Sequence, residues 1–190
     1  MVKNKLLLLE DEIAILKSYG EILVHNGYEV FLSRTYEEAI RLIEENDFDV
    51  VILDIFLKER RETGLDVALF AKEKCNSTQA VIFTGRPDAE TMARATQLEV
   101  YEYLIKPVEP ETLVKSVSKA LDMKNLIDEK EQLRDKLEDF IEIQKHRLED
   151  GDRKFTQMLE KLIDTDKRIE EKILEYRKDL ASTIRSLDTK

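Results

Sequence analysis

Val50-Val51-Ile52-Leu53-Asp54 is a run of apolar, mostly β-branched residues closed by a carboxylate. A strand with one wet face would alternate polar and apolar residues, whereas a run apolar at every position fits a strand covered on both sides. Such strands belong to parallel sheets with helices on each face. Outward from this run, short runs rich in apolar residues recur in Lys5-Leu6-Leu7-Leu8-Leu9, in Tyr28 to Leu32, in Ala80 to Phe83 and in Tyr101 to Ile105. Amphipathic stretches separate them: Ile13 to His25, Thr35 to Glu45, Leu65 to Lys74, Asp88 to Leu98, and Glu111 onward after Pro110. Thr35-Tyr36-Glu37-Glu38 reads as a capping box at the start of one of them. Five strands alternating with five helices predict an α/β fold with a doubly wound parallel sheet. In such sheets the functional crevice lies beyond the carboxyl ends of the strands.

At those ends stand Glu10 and Asp11, then Asp54, then Thr84, then Lys106. Taken singly each has an ordinary explanation as a turn or capping residue. Together they place three carboxylates, a hydroxyl and an ammonium in one crevice. Close like charges repel by roughly 4 kcal/mol per pair at an effective dielectric of 20, so the cluster calls for a cation. Hard oxygen donors with room for water suit Mg²⁺. With that ion in place, Asp54 is chemically suited to act as a nucleophile toward a phosphoryl group, with Thr84 and Lys106 neutralising the oxygens that carry charge in the transfer.

These residues, with Gly64-Leu65-Asp66, Thr84-Gly85 and Tyr103-Leu104-Ile105-Lys106-Pro107, give residues 3 to 122 a sequence that resembles the receiver domain of two-component response regulators of the chemotaxis-regulator type. The resemblance implies a flavodoxin-like sheet of order 2-1-3-4-5. It implies Mg²⁺ held by Glu10, Asp11, Asp54 and the backbone carbonyl of Phe56, with Asp54 phosphorylated by a sensor histidine kinase. Thr84 would bind a phosphoryl oxygen, Lys106 would pair with it, Tyr103 would turn inward as a switch, and Lys106-Pro107 would be cis. The chain would be a phosphoacceptor signalling protein rather than an enzyme. It departs from the family pattern in Glu10, where Asp is commoner, in the long charged loop Ile55 to Thr63, and in Glu99-Val100, where a Gly-Ala pair is common.

The chain changes character near residue 120. Residues 121–190 carry 16 basic and 19 acidic side chains, one glycine and no proline, the composition of a long exposed helix or coiled coil. This divides the chain into a receiver region, 1–122, and a helical coiled-coil region for dimerisation or interaction, 123–190. Phe155, Leu162, Ile169 and Tyr176 fall at one heptad position, and Leu159, Ile173, Leu180 and Leu187 at the other, with Asp166 and Thr183 interrupting. An upstream stripe of Leu126, Leu133, Leu137, Phe140, Ile141 and Leu148 slips phase by one residue. The reading favoured here is one helix from Glu111 to Leu187, about 115 Å long. The alternative is an αα-hairpin with its break at Asp150-Gly151-Asp152. A helix of this length cannot hide its stripe on one small receiver, which leads to the expectation of a homodimer through the tail.

The 190 residues carry a formal net charge of −10, and the expectation is no direct nucleic-acid partner and no membrane association, since both need a positive field. The N-terminus lacks an apolar leader, so a cytoplasmic location is expected. Cys75 is expected to be a half-buried helix residue, and His25 and His146 exposed helix residues. Two rival readings stand beside the switch: a coiled-coil scaffold with a receiver docking module, and a phosphorelay protein using His146. Neither the cognate kinase nor the protein target is legible in the sequence.

Overall fold

The structure is a computed structural model that describes residues 3–57, 63–145 and 153–187. Five strands, β1 (Lys5–Leu9), β2 (Glu29–Ser33), β3 (Val50–Leu53), β4 (Gln79–Thr84) and β5 (Glu102–Ile105), form one parallel sheet in the order β2-β1-β3-β4-β5. The expected order is thus observed. Crossovers are made by α1 (Ile13–His25), α2 (Tyr36–Glu45), α3 (Gly64–Lys74) and α4 (Ala89–Gln97), and α5 (Pro110–Lys145) follows β5.

Two-residue alternation along each strand divides the core. Leu7, Leu9, Val51, Leu53, Ala80 and Ile82 face α2, α3 and α4 through Ala39, Ile43, Leu65, Ala68, Met92 and Ala95. Leu6, Leu8, Val50, Ile52, Val81 and Phe83 face α1 and α5 through Leu16, Leu23, Leu113, Val117 and Ala120. With each fully buried large side chain contributing about 1.5–3 kcal/mol, the two layers fix the sheet from both sides. The pairing Leu9↔Leu53 and the bond from the Asp54 N–H to the Leu9 carbonyl, 3.0 Å, then set the ends of β1 and β3 side by side.

The Thr35 hydroxyl accepts from the Glu38 N–H at 3.2 Å and caps α2 as expected. Glu38 itself reaches one residue beyond the capping-box partner, accepting from the Arg34 N–H at 2.9 Å. Cys75, at the end of α3, is part-buried, and His25 is exposed in the last turn of α1.

The continuous helix from Glu111 to Leu187 is not what forms. α5 ends at Lys145, and α6 (Arg153–Leu187) runs back antiparallel along it. Lys130 donates to Glu170 at 2.8 Å, and the Phe140 and Phe155 rings meet with centroids 5.1 Å apart. The heptad seam of α6, Phe155, Leu159, Leu162, Asp166, Ile169, Ile173, Tyr176 and Leu180, is covered, together with the neighbouring Thr165 and Ala181, and α5 shares in covering it. The physical reason is that two apolar stripes on one chain shield each other in a hairpin, whereas a straight helix leaves both in water. The argument for a dimer, that the stripe has nothing to cover it within the chain, therefore fails. His146, Gly151 and the Lys58 to Glu62 segment lie outside the described residues. No helix among the described residues is long and apolar enough to cross a membrane.

Candidate functional site

β1 delivers Glu10, almost fully buried, with Asp11 beside it, and β3 delivers buried Asp54. One carboxylate oxygen from each of the three lies within 4.8 Å of the others. Lys106, one residue past β5, reaches into the cluster: its ammonium donates to Asp54 Oδ2 at 2.6 Å and to Glu10 Oε2, and stands 4.6 Å from the centroid of the Phe83 ring. Asp54 Oδ1 accepts from the Phe56 N–H at 3.3 Å, and Glu10 Oε1 from the Glu12 N–H at 3.2 Å. Thr84 is fully buried at the end of β4; its hydroxyl accepts from the Arg86 N–H at 3.3 Å and its carbonyl from the Lys106 N–H at 2.8 Å. The Lys106–Pro107 bond is cis, as the resemblance implies.

Burial pushes the Glu10 carboxyl above its ordinary value, and the nearby Asp54 charge adds to this, while the Lys106 ammonium and the Glu12 N–H oppose both. Three carboxylates against one ammonium leave a net negative charge in a recess of hard oxygen donors. This donor chemistry fits a small divalent cation such as Mg²⁺ better than any soft metal.

Tyr103 is buried on β5, and its hydroxyl lies 3.2 Å from that of Thr91 on α4. Phe56 is 39% exposed just beyond Asp54, and Arg86 is exposed beyond Thr84. Sequence reasoning assigned no role to Gly64, at the start of α3. A Cβ there would stand 2.1 Å from the Asp54 carbonyl oxygen, so the backbone of α3 packs directly against the acidic residue. It also missed the ion pair between Asp66 and Arg94, which joins α3 to α4. The glycine was visible in the sequence after a carboxylate and a loop, but the pairing across 28 positions left no local signal.

A crossover-wound parallel sheet with an acidic recess and a lysine at its carboxyl ends defines an α/β signalling-type receiver, and the comparisons agree. The profile of the response regulator receiver domain matches residues 6–118, and the chain belongs to that family. Among curated proteins it is 30% identical over 135 residues to the alginate biosynthesis transcriptional regulatory protein AlgB of Pseudomonas aeruginosa, a match covering 71% of this chain and 30% of AlgB. It is 30% identical over 115 residues to the transcriptional regulatory protein CrdR of Helicobacter pylori, covering 59% of this chain and 52% of CrdR. A CheY-like response regulator receiver domain protein from Methanospirillum hungatei superposes with a TM-score of 0.62 at 27% identity, covering 65% of this chain and 98% of the other. The chain thus spans about a third of the length of AlgB.

These names correct one expectation. Nucleic acid was set aside on the negative charge of the chain, yet relatives in the family are transcriptional regulatory proteins. Net charge describes the average field of a whole molecule and not what a regulator or its other parts act on, so it gives no ground for that exclusion.

Proposed function

We propose that this protein is a phosphorylation-dependent response regulator that accepts a phosphoryl group on Asp54 from a sensor histidine kinase and passes the signal on through its helical tail. The observation that carries the reading is the Lys106 ammonium joined to both Asp54 and Glu10 at the mouth of a receiver-family sheet. In the transfer, an Asp54 carboxylate oxygen bonds to phosphorus as the donor's P–N bond breaks, and the donor imidazole keeps the electron pair. Lys106 is placed to follow the charge from the carboxylate to the phosphoryl oxygens. The Thr84 hydroxyl would donate to one of those oxygens, and Tyr103 would repack as Thr84 moves. Glu10, Asp11, Asp54 and the Phe56 carbonyl would hold Mg²⁺, which supplies further neutralisation of the phosphoryl oxygens when bound.

The proposal divides the chain at about residue 122 into receiver and tail and places it in the cytoplasm. Its pathway ends in control of transcription, in line with the names of the relatives, and is reached by contact of the tail with another protein. Incubation with Mg²⁺ and a small phosphodonor should add one phosphoryl group, read by intact mass. Asp54→Asn should abolish that gain, and undiminished labelling of this variant would refute the assignment.

A further inference from the structure

Folding back does not fill the space beneath the tail. Between α6, α5 and the receiver a cavity of about 500 Å³ remains, a size within the roughly 300–1,000 Å³ of sites that take small organic ligands. Gln79 opens β4 and Tyr101 stands just before β5, so the cavity lies at the amino ends of those strands, the opposite end of the sheet from Asp54, Thr84 and Lys106. A parallel sheet offers its own crevice at the carboxyl ends. This second recess exists because α6 supplies its other wall.

The walls are of two kinds. Val100, Met123, Ile127 and Ile173 are apolar, and the Tyr101 and Tyr176 rings stand beside them with centroids 6.3 Å apart. Such surface gains when an apolar solute takes the place of water. The polar part is cationic, although the whole chain carries a net charge of −10. Lys130 is paired with Glu170 at 2.8 Å and Arg177 with Glu99 at 2.7 Å. The walls hold two more cations, Lys72 and Arg134, but one more carboxylate, Glu131, which leaves one positive charge in excess. Lys72 gives one of its N–H bonds to the Glu99 carbonyl at 2.6 Å. Burial pushes its ammonium below the ordinary value; the Glu99 charge opposes this and the Arg177 charge adds to it, so an anion brought near Lys72 would be stabilised. Gln79, almost fully buried, spends one amide N–H on the Ser77 carbonyl at 2.6 Å and has a second to donate.

We propose that this cavity is a binding site for a small organic anion, a ring-sized apolar body bearing one carboxylate, sulfonate or phosphate group, with Lys72 as the cation that answers the charge. The ligand would touch the receiver through Lys72 and Gln79, α5 through Ile127, and α6 through Ile173 and Tyr176. Binding therefore clamps the tail onto the receiver, at a place separate from the acidic recess and by a chemistry that needs no phosphoryl group. Any opening of α6 that dismantles the wall must first release the ligand.

Titration of the full chain with anilinonaphthalene sulfonate, an aromatic anion whose fluorescence rises in an apolar site, tests this. One molecule should bind per chain, and phenylnaphthylamine, the same rings without the sulfonate, should bind at least about tenfold more weakly, the worth of one charge-assisted hydrogen bond. Lys72→Gln, which keeps the cavity, should weaken the anion about tenfold, and Ile127→Trp, which fills it, should abolish binding. With the probe at about ten times its Kd, amides 169–180 of α6 should exchange about tenfold more slowly. Absence of saturable binding, or binding undiminished in Ile127→Trp, would overturn the site. Equal affinity for the neutral analogue, or wild-type affinity in Lys72→Gln, would overturn the choice of an anion. Saturable binding with unchanged exchange in α6 would overturn the clamp.

Discussion

Gly64 has no room for a side chain, because the atom a Cβ would strike is the backbone carbonyl of Asp54 and not the end of a flexible group. Gly64→Ala must push α3 away from β3, and overpacking of this kind costs about 1–3 kcal/mol. Urea unfolding should show a lowered midpoint, and phosphodonor labelling should slow, since the displaced residue is Asp54. On the open side of the same carboxylate the exposed Phe56 and Arg86 each follow by two residues a group of the site, Asp54 and Thr84, so on the phosphoacceptor reading proposed above they would flank the approach of water to an acyl phosphate on Asp54. Phe56 is apolar and cannot orient that water, while Arg86 is able to cover the phosphoryl oxygens. The phosphorylated state should therefore persist for minutes or longer. Phe56→Asn should shorten its lifetime several-fold, and equal rates of phosphate loss after donor removal would show that Phe56 is not the gate. Lys106→Ala should still be labelled, because the nucleophile is intact, but should lose the coupling to β5; a hydrogen-exchange response over β5 and α4 as large as in wild type would remove that role from the lysine.

At the scale of elements, α3 depends on a carboxylate in its first turn. Asp66 accepts from the Thr63 N–H at 2.7 Å and the Thr63 hydroxyl at 3.0 Å, and it also pairs with Arg94. Burial works to raise its carboxyl, but these partners outweigh it and hold Asp66 below the ordinary value of 3.8. A depressed carboxyl contributes stability that is fully present above the unfolded value and is lost as pH falls through the folded one. Asp66→Asn should thus cost about 1 kcal/mol near pH 7, the usual worth of a capping carboxylate. The gap to wild type should close below pH 4, and a gap that persists in acid would show that Asp66 acts through packing alone. The strands and α1 to α4 were legible in the sequence because burial on two faces and burial on one face leave different periodicities. The residues at the strand ends were legible because parallel topology says where to look. What α3 and α4 exchange was not, since an ion pair between separate helices carries no period. The left-handed turn at Glu99, φ 51°, had one mark, a position where the family commonly has glycine, but the contact of Glu99 with Arg177 of α6 had none.

For the whole molecule, the decisive ambiguity was who covers the seam of α6. A heptad states that a face is apolar; the same spacing serves a second copy, a partner helix or the preceding helix of the same chain. Nor did Gly151 decide between them, because glycine inside a helix costs only about 1 kcal/mol relative to alanine. In the structure the seam closes on α5 and, at its far end, on the receiver, which makes the tail a lever fixed at both ends: to α5 by Phe140 with Phe155 and Lys130 with Glu170, to the receiver by Glu99 with Arg177. Spin labels at the exposed positions Glu129 and Glu171, on a Cys75→Ser background, separate the arrangements. A continuous helix sets them 42 positions apart, about 63 Å at 1.5 Å per residue. The antiparallel pair places them on neighbouring turns of packed helices, whose axes lie about 8–10 Å apart, so the labels should report about 20–30 Å. Diluting the labelled chain into excess unlabelled chain should leave that distance and its modulation depth unchanged, because the contact is within one molecule. A distance near 60 Å, or a short distance lost on dilution, would return the seam to an intermolecular partner.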